Sequence, residues 1–130
     1  VDSIERHDRT NKHKDYGGVR MRQITIDSIR AFRNGNDFKR GNTQVKTYAH
    51  SNYRELLLHG NVIATLGENG LSISNGGYEP DGSRYHSDTP TGSRTTMERL
   101  NGLPNVSIYQ KKFKWYLNGE LWGGEFITIE

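Results

Sequence analysis

Cysteine is absent from this 130-residue sequence, which excludes a disulfide framework, a thiolate metal site and a thiol nucleophile. Proline occurs only three times. No apolar run approaches the roughly 18 residues that a membrane helix needs, and no signal-like apolar stretch opens the chain. Hydrophobic residues make up 32% of the total, enough for one core of modest size. Glycine, by contrast, is plentiful at 15 residues, and charged residues reach 25%. A small, glycine-rich, soluble domain is the expectation.

The net charge of +3 is unevenly placed. Residues 21–54 hold seven Lys/Arg against Asp27 and Asp37, whereas residues 55–130 hold six against nine. A basic front segment on a slightly acidic body can hold a polyanion or an acidic protein face. It also reads as a solvated, arginine-rich helix and loop.

Residues 1–20 are mostly charged or polar and end near Gly17-Gly18. They bury too little apolar surface to offset their ordering entropy, so a flexible N-terminal arm is expected there. A single domain is expected over 21–130. Thr25 to Gly35 predicts a helix, with Thr25 as its cap, Asp27 in the first turn, and Ile26, Ile29 and Phe32 as its apolar stripe. Asn34-Gly35 supplies a left-handed stop. Thr43–Ala49, Tyr53–Leu58, Val62–Leu66 and Leu71–Ser74 follow as short strands between Gly/Asn turns, an antiparallel meander.

Residues 75–93 carry the composition of a long loop. Thr95 and Glu98 have capping-box spacing for a second, short helix, with Gly102 as its left-handed stop and Pro104 just beyond. The last quarter returns to strands. Val106 and Ile108 alternate with polar residues, Phe113, Trp115 and Leu117 alternate with Lys114 and Tyr116, and Asn118-Gly119 marks a hairpin. Leu121-Trp122 and Phe126–Ile129 return across a bend at Gly123-Gly124. The fold class expected is α+β, an antiparallel sheet of short strands and hairpins with two short helices packed on one face.

Chemistry is sparse. No glycine-rich loop ends in Lys-Ser or Lys-Thr, no G-x-G-x-x-G joins a strand to a helix, and neither H-E-x-x-H nor G-x-S-x-G occurs. No cofactor and no catalytic residue is assigned. Outside the arm, which holds His7-Asp8 and His13-Asp15, His86 and Asp88, with Asp81 and Glu79 nearby, could bind a divalent ion weakly, but without a ligand motif they read far more readily as polar side chains of a solvated loop.

Nucleic-acid contact has more physical content. Arg30, Arg33, Lys39, Arg40 and Lys46 gather in one segment, with Asn34, Asn36 and Asn42 between them, and such residues pair with phosphates and base edges. Lys111, Lys112 and Lys114 form a second cluster beside Tyr109, Trp115 and Tyr116. Strand alternation sets Lys112, Lys114 and Tyr116 on one face and Phe113 and Trp115 on the other, which places one aromatic among cations. The same lysines also suit an exposed strand protected against edge pairing.

Five segments carry a resemblance: SIRAFRNGNDFKRGNT (Ser28–Thr43), LLLHGNVIA (Leu56–Ala64), LSISNGGY (Leu71–Tyr78), TTMERLNGLPNVSIYQKK (Thr95–Lys112) and YLNGELWGG (Tyr116–Gly124). Through them, residues 25–124 resemble a group of small tailed-bacteriophage proteins with no assigned biochemistry. The resemblance implies an accessory or host-interaction, non-essential binding role in the cytoplasm of an infected bacterial host, it brings no site residues with it, and a non-enzymatic protein is the expectation. The arm before Met21 and the length of the 79–93 stretch depart from the pattern.

Together these features point to a phage-type accessory protein contacting nucleic acid through the two basic clusters, with no membrane partner. The alternative is a host-protein-binding module or minor virion component, acting by strand addition or through the Tyr78–Pro90 loop. A metal-dependent hydrolase using His86, Asp88 and Asp81 is a weaker alternative.

Overall fold

A computed structural model describes residues 15–16, 19–76 and 94–129. Most of the arm, the 77–93 stretch, and with it Glu79, Asp81, His86 and Asp88, lie outside the described residues.

The chain is α+β. A two-residue ladder pairs β1 (Asp15–Tyr16) with β2 (Val19–Arg20). Helix α1 (Gln23–Asn34) leads into β3 (Phe38–Arg40), β4 (Thr43–Thr47), β5 (Arg54–Leu58), β6 (Asn61–Gly67) and β7 (Gly70–Ile73). After α2 (Arg94–Asn101) come β8 (Ile108–Lys111), β9 (Lys114–Leu117), β10 (Glu120–Leu121) and β11 (Ile127–Ile129). The strands divide among antiparallel sheets rather than joining one. A six-stranded sheet runs β11-β7-β6-β5-β4-β3, and a three-stranded sheet runs β10-β9-β8. Helix α1 packs on β3, β4 and β5, while α2 touches α1, β6 and β8 and so links the two larger sheets.

Alternation decides what the large sheet buries. Val45 pairs with Leu56, Leu56 with Ala64, and Ala64 with Ile73, which lays one apolar row across four strands. Ile29 and Phe32 of α1 and Met97 and Leu100 of α2 close over it, and Ile108, Trp115, Leu117 and Trp122 complete the same cluster.

Both helix starts differ from expectation. Helix α1 begins at Gln23 with Arg22 as N-cap, so Thr25 lies inside the helix and Asp27 falls beyond its first turn. Thr25 is instead fully buried, its hydroxyl donating to Glu98 Oε2 at 2.8 Å and accepting from Arg99. Glu98 accepts from the Arg22 backbone N–H and guanidinium, both at 2.7 Å. Arg99, 1% exposed, also reaches Thr43 at 3.2 Å. The Glu98 side chain thus serves a tertiary network, and the capping box with Thr95 does not form.

Burial pushes the Glu98 carboxyl up, but the donors from Arg22 and Thr25 outweigh it and hold the group below its ordinary value. Burial also pulls Arg99 down, against the neighbouring Glu98 charge.

The end of α1 is as expected. Gly35 is left-handed, its N–H bonds Phe32 and the Asn36 N–H reaches Ala31, which is a Schellman motif. The Arg54 guanidinium adds bonds to the Phe32 and Arg33 carbonyls at 2.8 and 2.6 Å, a cation on the negative end of the helix. Gly102, by contrast, is not left-handed. A Cβ there would meet Ile29 Cγ1 at 3.0 Å and Thr25 Cγ2 at 3.2 Å. The residue is small because α1 passes it closely.

Candidate functional site

The front basic segment does not form one patch. Arg40 lies on the face of the sheet that α1 covers, pairing with buried Thr43, and bonds Asp27 at 2.9 Å. Burial raises the Asp27 carboxyl, and the bonds from Arg40 and Gln23 more than reverse this, leaving it below its ordinary value. Lys46 stands opposite in sense to buried Val45, and Lys39 pairs with Gln44, so both lysines point to the other face of the sheet. Arg30 and Arg33 remain exposed on α1. Arg33 lines a groove of about 620 Å³ with Gly102, Pro104, Ser107 and Asn118.

The second cluster is held together by the β8–β9 hairpin. Its underside is anchored by Ile108, Trp115 and Leu117, all buried. Its base is pinned twice. The Asn101 amide donates to the Ile108 carbonyl at 3.0 Å and its oxygen accepts the Ile108 N–H at 2.6 Å. Asn118 exchanges backbone and side-chain bonds with Ser107 and Asn105. The hairpin is therefore a fixed platform whose outer face and far end are free of the core.

On that outer face Tyr109 pairs with Tyr116 and Lys111 with Lys114. The tyrosine rings stack at 5.3 Å between centroids, with planes 9° apart. Leu121, 63% exposed, continues the row beyond Tyr116. Lys114 and Tyr116 thus share a face, as alternation predicts. Lys112 and Phe113 do not follow it, because they form the two-residue turn instead of strand positions. Phe113 consequently leaves Trp115 and stands at the tip, 75% exposed, in the turn between Lys111 and Lys114. None of the ion pairs among the described residues involves these lysines.

This tip works against its own stability in three ways. Lys112 and Phe113 both carry positive φ, 52° and 66°. A two-residue hairpin turn demands that conformation, and Asn-Gly ordinarily supplies it, as Asn118-Gly119 does one turn later at 51° and 92°. A bulky side chain there is strained. Two like charges, Lys111 and Lys114, sit directly across from each other. A large ring stands in water.

Tyr109 and Phe113 belong to this surface, although the sequence pattern does not select them as binding residues. Register places Tyr109 beside Tyr116, but nothing in Lys112-Phe113 announces a turn. Elsewhere, the Tyr48 and Tyr53 hydroxyls both donate to Glu55, at 2.7 and 3.0 Å. The bond to Glu55 raises the Tyr48 phenol, and burial followed by the same carboxylate raises that of Tyr53. Among the described residues no group of three His, Asp or Glu could hold a metal ion, and no helix is long and apolar enough to cross a membrane.

A family model described as Kyanoviridae Gp96 protein matches residues 21–130. No curated protein and no solved structure matches the chain.

Proposed function

Since this chain belongs to the Kyanoviridae Gp96 family of phage proteins, we propose that it serves as an accessory binding protein contacting nucleic acid in the infected host cytoplasm. The contact surface in this reading is the outer face and tip of the β8–β9 hairpin: Lys111, Lys112, Lys114 and Tyr116, joined by Tyr109 and Phe113. The observation that carries it is the tip itself. Three destabilising choices fall on adjacent residues of an otherwise well-anchored hairpin, and such local violations gather where a surface is kept for binding. Lysines pair with phosphates, and the aromatics supply surface that water does not reward. Arg30 and Arg33 are a secondary contact along α1. Lys39, Arg40 and Lys46 have no part in the hairpin surface.

Fluorescence anisotropy with labelled oligonucleotides across a salt series tests this. Binding should weaken steeply with salt. Replacing all three lysines by alanine should flatten the log–log slope by roughly 2 to 3, about 0.7–0.9 for each phosphate left without its cation. No binding at low salt ends the proposal.

A second reading keeps one specific observation. Strand β11 is an edge of the six-stranded sheet, with Phe126 and Ile127 exposed, which favours addition of a partner's strand from a host or virion protein. Pull-down with and without nuclease separates the two readings.

A further inference from the structure

Resting on the nucleic-acid reading of the hairpin, we infer that its ligand is single-stranded nucleic acid, bound by base stacking on Phe113 and on the Tyr109–Tyr116 pair.

The scarcity of cations is the first argument. The hairpin offers three lysines, and non-specific duplex binding draws nearly all of its free energy from phosphate neutralisation. A surface built for duplex would spend its exposed positions on further cations. This one spends them on rings. Tyr109 is 38% exposed, Phe113 75%, and Leu121 extends the apolar row across the third strand.

Access is the second argument. A duplex shows base edges in its grooves and base faces only at its ends, so a phenyl ring held in solvent finds little to stack on. Unpaired bases expose a face at every nucleotide, and stacking on aromatic side chains is tolerant of sequence. The arrangement fits such a strand. Bases would lie over the Tyr109–Tyr116 stack and Phe113, while the backbone follows Lys111, Lys112 and Lys114 around the tip.

Orientation is the third. Positive φ at both turn residues swings Phe113 out of the inward alternation that keeps Trp115 buried. The strain thus has a geometric product, an exposed ring in a turn whose flanking strand positions, Lys111 and Lys114, are both cationic. A chain selected only for folding would place Asn-Gly there, as its next hairpin does.

The test uses the full chain, a fluorescein-labelled oligothymidylate and a mixed-sequence duplex of equal length, at several salt concentrations. Wild type should bind the single strand at least tenfold tighter than the duplex. Phe113→Leu keeps apolar bulk without a π face and should weaken single-strand binding roughly 5- to 160-fold, the range for loss of one stacked base. Its salt slope should not change, because no cation is lost. Phe113→Tyr should restore binding. Thermal melts of each variant confirm an intact fold.

Equal affinity for the two probes, or a Phe113→Leu variant that binds the single strand as wild type does, overturns this inference while leaving the nucleic-acid reading in place. Failure of both probes to bind at low salt overturns both.

Discussion

Replacing Lys112-Phe113 by Asn-Gly should make the protein more stable and a poorer binder. Each non-glycine residue in the left-handed region costs about 1 kcal/mol relative to one that tolerates it. Two such positions meet in the β8–β9 turn, with φ of 52° and 66°. Glycine returns part of the gain, because a freer unfolded chain opposes folding by roughly 0.4–1 kcal/mol. Phe113 is 75% exposed, so its removal forfeits little burial. Losing Lys112 also relieves repulsion beside the Lys111–Lys114 pair. The net expectation is a gain of about 1 kcal/mol, or roughly 3–6 °C in Tm for a domain of this size. Scanning calorimetry of wild type and double variant reads it directly. The same double variant should bind oligothymidylate at least tenfold more weakly. A Tm equal to or below that of wild type would refute the strain argument, and with it the reason for regarding the turn as a functional compromise.

Three further outcomes follow from the core. Glu98→Gln leaves Arg99 buried without its counter-charge and should cost about 3 kcal/mol at neutral pH by urea denaturation. Because the folded Glu98 carboxyl titrates below its ordinary 4.5, its stabilisation is present above that pH and lost as pH falls through the lower folded value. The wild type should therefore lose stability on acidification more steeply than the variant, whose residual slope includes Asp27, held low in the same sense. Gly102→Ala should lower stability by about 1–2 kcal/mol, since the added methyl presses on Ile29 and Thr25. Arg54→Met should cost about 1 kcal/mol, because it strips two hydrogen bonds from the C-terminal carbonyls of α1, with the loss largest at low salt.

Where near neighbours carry strong turn or strand residues, the local structure is legible in the sequence. Asn34-Gly35, Asn118-Gly119 and the alternation at Leu71–Ile73 are local instructions, and the helix stop, the hairpin and the strand obey them. Long-range partners are not legible. Thr25 has the chemistry of a helix cap, yet its hydroxyl faces Glu98, 73 positions away, because burial of that carboxylate demands donors from α1. Gly102 resembles a left-handed stop and is in fact a clearance for a neighbouring helix. Strand β3 leaves no mark in the sequence, since three residues, two of them cationic, carry no periodicity. On the outer face of the β8–β9 hairpin, alternation locates Tyr116 with Lys114. The turn between Lys111 and Lys114 is silent because it contains neither glycine nor asparagine.

The Glu98–Arg99 network and strand β11 share a further property: each joins partners from both sides of residues 77–93. Arg22, Thr25 and Thr43 meet Glu98 and Arg99, and β11 zips onto β7. A polypeptide ending near Gly76 would lack the edge strand of its largest sheet and the carboxylate that Arg22 and Thr25 bond, and one beginning near Arg94 would bring a carboxylate and a guanidinium without the α1 and β4 groups that receive them. Co-expressed as separate chains, the two pieces should re-form the β7–β11 pairing and the Glu98 bonds, which co-purification of the fragments would register.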